Sequence, residues 1–159
     1  MANILGKYEV TPMQLARGAT YVIGSFGLFM NARALADPVS YATAFGFHPS
    51  TVIAKSAISN PFIVVSGGRA IASGVALLGC AYLGADRATG VLLMSSVLTG
   101  ILDAWAVTKF GGQVTDTQAE ARGIQEERLE HAKSAATGHV VITSLFATMG
   151  AWMWFTAEN

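Results

Sequence analysis

Charge is what this chain has least of. Asp, Glu, Lys and Arg make up 13% of its 159 residues, against about 25% in an ordinary soluble domain. The charge that is present cancels to a formal net of zero, so no basic patch points to nucleic acid and no acidic tail to a charged partner. Cysteine is nearly absent. Cys80 stands alone inside an apolar run, which rules out an intramolecular disulfide and makes it a small packing residue. Three histidines, His48, His131 and His139, are dispersed without cysteine or acid at ligand spacing, so no metal site is expected. The chain also lacks a phosphate loop, a nucleophile elbow and a dinucleotide fingerprint, and no cofactor is implied. Gly67-Gly68 reads as a helix-packing pair instead.

Long apolar runs are what the chain does have. Hydrophobic residues reach 52% and the mean hydropathy is +0.46. A transmembrane helix needs about 20 mostly apolar residues, and four stretches qualify: 14–36, 62–84, 87–108 and 134–157. They predict one all-α domain over residues 1–159, an antiparallel four-helix transmembrane bundle embedded in a lipid bilayer. Trp152, Trp154 and Phe155 close the last span as an interfacial aromatic cluster would. A secretory signal is the rival reading of the first span, with Ala34-Leu35-Ala36 as its cleavage site. Asn31 and Arg33 interrupt the end of that run and argue against it.

Two connections are long. Residues 37–61 hold Pro38, Pro49, Pro61 and the run Phe45-Gly46-Phe47-His48. They read as an irregular loop with a short interfacial helix around 50–59. Residues 117–133 read as a solvated polar helix, opened by a Thr117/Glu120 capping box and able to run on into the fourth span. His131 lies on that charged helix and should be solvated; His48 suggests no role. Both termini fall on one side, with Lys7, Arg17 and Arg87. The other side carries Arg33, Lys55, Lys109, Arg122, Arg128 and Lys133. The larger basic set marks the cytoplasmic face, leaving the termini non-cytoplasmic.

Alternating helix direction brings one polar residue from each span to a common level: Asn31, Arg69, Asp103 and His139. The last three lie about 6–10 Å inside the cytoplasmic boundary at 1.5 Å per residue. Each shares a helical face with small or hydroxylated residues, among them Ser66, Thr99 and Thr143, which suit helix–helix contact in a membrane. The polar groups should therefore point inward. Arg69 and Asp103 are expected to compensate one another, with His139 in reach of both. Snorkelling of Arg69 to the headgroups is the plain alternative.

The segments GGRAIASGVALL, DRATG, TGILDAWAV and GHVVITSLFATMGAWMW, with weaker support from FGFHP, resemble domain-of-unknown-function family 4267. The likeness runs from about Gly24 to Phe155. It implies a small four-helix integral membrane protein of a group common in fungi. It also hints at small-molecule biosynthesis and at an internal membrane such as the endoplasmic reticulum. Family members often carry an acid directly after the span-two arginine; Ala70 stands there in this chain, which leaves Asp103 as the partner of Arg69.

Three function classes follow. The first is a membrane-embedded enzyme, an isomerase, cyclase or cofactor-free oxygenase, acting on a lipophilic small molecule. His139, Asp103 and Arg69 are its catalytic candidates, and Asn31, Arg69, Ser66, Thr99 and Thr143 its substrate contacts. This reading predicts a cavity at the polar level, opening toward the cytoplasmic side. The second is a non-catalytic anchor for a membrane protein partner or a second copy, with the Arg–Asp pair as glue. The third, a transport subunit, would need oligomers to form a path.

Overall fold

A computed structural model of the chain describes residues 10–49, 60–111 and 122–157. Among the described residues every regular element is an α-helix: α1 Pro12–Ala36, α2 Pro38–Phe45, α3 Pro61–Tyr82, α4 Asp86–Phe110 and α5 Arg122–Thr156. The expected helix at 50–59, Lys7, Lys55 and the Thr117/Glu120 capping box lie outside the described residues.

Local chemistry sets the helix ends. Thr11 and Gln14 form a reciprocal capping box, and Pro12 occupies the first turn, where no amide donor is needed. Asp37 ends α1 and begins α2: its backbone N–H donates to Arg33 O, while its side chain accepts from Ser40 N at 3.0 Å. Pro38 then starts a new helix, and Gly46 stops it at φ 121°, a conformation that favours glycine. Residues 38–45 are therefore helical, where an irregular loop was expected. The polar stretch from Arg122 joins the last span without a break, as one 35-residue helix.

The long helices pack as two antiparallel pairs. In the α1–α3 pair Gly67 backs onto Ala34, and Gly24 and Gly74 meet Leu78 and Leu28. In the α4–α5 pair a Cβ on Gly90 would lie 2.6 Å from Gly150 O, Gly100 receives Thr143, and Gly111 meets Ala132. Glycine lets the backbones approach so closely, which is how membrane helices gain packing contacts without a hydrophobic drive. Contacts between the two pairs are sparse by comparison.

Two apolar clusters close the ends of the molecule. Ala34, Tyr41, Ala42, Phe45, Phe47, Ile63, Val107 and Ala132 form one, so α2 knits all four long helices together there. Ala16, Leu77, Leu93 and Met153 form the other. Beside the second cluster Arg17 donates two hydrogen bonds to Asp86, at 2.7 and 2.6 Å, tying α1 to the start of α4. The charged start of α5 is not solvated all round. Arg128 is buried, and the His131 ring lies 6.0 Å from that of His48 with its Nε2 buried and without a hydrogen-bond partner among the described residues. The expectation of a solvated His131 fails because the chain following α2 covers that face.

Among the described residues three helices are long and apolar enough to cross a membrane: Pro61–Tyr82, Asp86–Phe110 and Gln125–Thr156. Their outward faces carry exposed Val65, Leu98, Leu145 and Phe155, which fit a lipid bilayer. α1 falls short of that hydropathy because Gln14, Arg17, Asn31 and Arg33 interrupt it. The all-helical class and the membrane setting stand, with three membrane-length helices where four were expected.

Candidate functional site

Because the helix pairs touch little and the clusters fill the ends, space remains in the middle. A cavity of 530 Å³ lies there, lined by residues of all five helices. That volume falls within the range of small-molecule sites, about 300–1,000 Å³. One end is polar, with Asn31, Arg33, Tyr41, Ser66, Arg69, Asp103 and His139. The other is apolar, with Ile23, Leu77, Leu92, Leu93 and Phe146. From Leu92 to Asp103 along α4 the two ends are about 16 Å apart.

Each residue singled out from the sequence borders this cavity: Asn31, Ser66, Arg69, Thr99, Asp103, His139 and Thr143. Their partners differ in what they leave free. Arg69 donates through one Nη to Asp103 Oδ1 at 3.3 Å, and its side chain stays 51% exposed against 15% for Asp103. A single long bond leaves most of the guanidinium's donors available. Asn31 donates to Gly27 O at 2.7 Å, and its Oδ1 accepts from the Tyr41 hydroxyl at 3.2 Å. Ser66 is buried and lies 3.3 Å from the same hydroxyl. Thr143 donates back to His139 O at 2.7 Å while filling the notch at Gly100. Its proton is committed to the backbone, and packing is its visible task. Thr99 is exposed to the cavity mouth.

His139 was expected within reach of the Arg–Asp pair. Its Nε2 lies 2.9 Å from Phe45 O, with the two rings 4.9 Å apart. A carbonyl only accepts, so Nε2 carries the proton and Nδ1 is left as the basic nitrogen. Sequence reasoning missed α2 and with it Tyr41 and Phe45, which hold Asn31, Ser66 and His139 in place. The signal was present in Asp37-Pro38, a helix cap followed by proline at the first helical position. Tyr41 lies outside the apolar spans, and burial raises its phenol pKa above the ordinary value, which keeps the hydroxyl as a neutral donor.

α2 lies across the polar end of the cavity, with Tyr41 and Phe45 buried. Exposed residues among the lining include Val22 and Phe26 on α1 and Ile142 on α5, two helices that barely touch, and Arg69, Ser73 and Thr99 on α3 and α4.

Membrane-length helices around an amphipathic cavity define the class: a helical membrane protein with an interhelical cavity of small-molecule size. Over residues 24–153 the chain matches the family described as domain of unknown function (DUF4267), and it belongs to that family. No curated protein and no solved structure matches it.

Proposed function

We propose that this protein binds a lipophilic small molecule in the interhelical cavity and converts it by proton transfer at the polar end. α1 would complete the transmembrane bundle as its fourth helix. The observation that carries the reading is the gathering of Asn31, Arg69, Asp103 and His139, one from each long helix, around one open space. A polar cluster of this kind is costly in hydrocarbon unless its groups are satisfied or used. His139 is the candidate acid/base. Its Nδ1 takes a proton from carbon beside a substrate carbonyl, and the C–H electron pair moves into the new C=C bond. The carbonyl oxygen gains the negative charge, which the Arg69 guanidinium stabilises. Returning the proton at another carbon completes an isomerisation; attack of the enolate carbon on a second carbonyl of the substrate, whose C=O π pair moves to oxygen and takes the proton back from His139, completes a cyclisation instead. Neither needs a cofactor.

The test is to extract purified protein and search for a co-purifying lipophilic molecule by mass spectrometry, comparing wild type with His139→Gln. The expected result is a molecule bound by both and converted only by wild type. An empty wild-type protein that binds no lipophilic probe would end the reading. One observation favours a second reading, a non-catalytic anchor: the Arg69–Asp103 pair also clamps α3 to α4 where these helices otherwise touch little. Folded His139→Gln and Asp103→Asn proteins that fully support native product formation would put the anchor in the enzyme's place. The polar level is proposed to face the cytoplasm across an internal membrane, because Arg33, Lys109 and Lys133 lie toward that end.

A further inference from the structure

The charged residues that line the cavity do not cancel. Arg33 and Arg69 are cations, and Asp103 is the one anion among the described lining residues. Two guanidinium groups against one carboxylate give the polar end an excess of one positive charge. Arg33 donates to the Ser40 hydroxyl, a neutral partner that leaves its charge in place. Arg69 spends a single Nη on Asp103 and remains half exposed beside the cavity. An excess cation at the edge of a low-dielectric space favours an anionic occupant, and a planar guanidinium matches the two oxygens of a carboxylate. The far end is walled by Ile23, Leu77, Leu92 and Phe146, and the nearest lining hydroxyls, Ser95 and Ser96, already donate to the backbone carbonyls of Leu92 and Leu93. The gap between α1 and α5, bordered by Val22, Phe26 and Ile142, faces the side on which lipid would lie.

From this juxtaposition we infer that the occupant is an amphiphile with one acidic head group, of the carboxylate class, held by Arg69 and Arg33, and an apolar body lying toward Phe146. The inference rests on the binding reading above and names the chemical class of the ligand. It also gives Arg33, which the proton-transfer chemistry does not use, a role in choosing the ligand.

The experiment is displacement of a fluorescent fatty acid from detergent-solubilised protein by three competitors of equal chain length: dodecanoic acid, dodecanol and dodecylamine. The acid is expected to displace the probe at about tenfold lower concentration than the alcohol, a difference of about 1.4 kcal/mol, with the amine weakest. Arg69→Gln should abolish that preference. Should Arg69→Gln fail to fold because it strands Asp103, Arg33→Gln removes the same excess charge and leaves the Arg69–Asp103 pair intact. Equal displacement by acid and alcohol would overturn the head-group inference and leave a neutral-ligand cavity standing. A preference unchanged in both variants would overturn it as well. A wild-type protein that binds none of the probe or competitors would overturn the binding reading itself.

Discussion

At the scale of single residues, the Arg69–Asp103 pair is asymmetric, and the asymmetry predicts which partner matters more. Asp103 is mostly buried, whereas the Arg69 side chain is half exposed. Removing Arg69 strands a carboxylate with little access to water; removing the carboxylate charge leaves a guanidinium that can turn outward. Arg69→Ala should therefore destabilise the protein by about 1–3 kcal/mol, and Asp103→Asn by less. Thermal unfolding in the same detergent checks the order. A larger loss from Asp103→Asn would mean that Asp103 holds a contact besides Arg69. His139 shows how little a residue's place along its helix reveals about its partner. Its depth was legible from counting turns, but its bond to Phe45 O depends on a segment far away in sequence.

At the scale of elements, glycine decides which helices pair. Gly150 lies so close to α4 that an added Cβ would meet Gly90 O at 2.5 Å and Leu93 Cβ at 2.8 Å. The backbone cannot yield there as a flexible side chain would. Gly138, on the same helix, has nothing within 4 Å. Gly150→Ala should cost about 1–3 kcal/mol of stability by forcing α4 and α5 apart, while Gly138→Ala should cost nothing measurable. Parallel melts of the two variants test this, and equal effects would remove the glycine contact as the cause of pairing. α2 carries the complementary lesson. Its cap, Asp37, and its stop, Gly46, were both readable, yet three prolines and an aromatic run made the stretch look irregular. Helix formation there is completed by burial of Tyr41, Ala42 and Phe45 against other elements, which no local pattern contains.

At the scale of the whole molecule, the fold is two tightly packed helix pairs held apart in the middle and closed at both ends. Antiparallel packing puts Thr11 and Thr156 at one end and Asn60 and Gly111 at the other. With Cys80 replaced by serine, single cysteines at Thr11 and Thr156 should label from the same side of a sealed membrane, and one at Asn60 from the opposite side. Labelling of Thr11 and Thr156 from different sides would exclude the proposed crossing of the bilayer by α1. Arg87 and Trp154 belong to the first end as well, with the guanidinium 5.9 Å from the indole ring, as suits a helix end at a membrane interface.

The sequence by itself determined the helical class, three of the four expected membrane-length segments and the lining residues Asn31, Arg69, Asp103 and His139, one on each long helix. These are one-dimensional properties: hydropathy is summed along the chain, and a fixed rise per residue turns position into depth. The family likeness could be read the same way, from ordered motifs. Only the tertiary structure decided that the polar level borders a cavity and that α2 lies across its end. Those outcomes depend on how closely helices approach, and approach is set by pairs such as Gly90–Gly150 and Gly67–Ala34, whose members meet only after folding. The sequence carries the small residues, but which of them meet is a property of the packed helices.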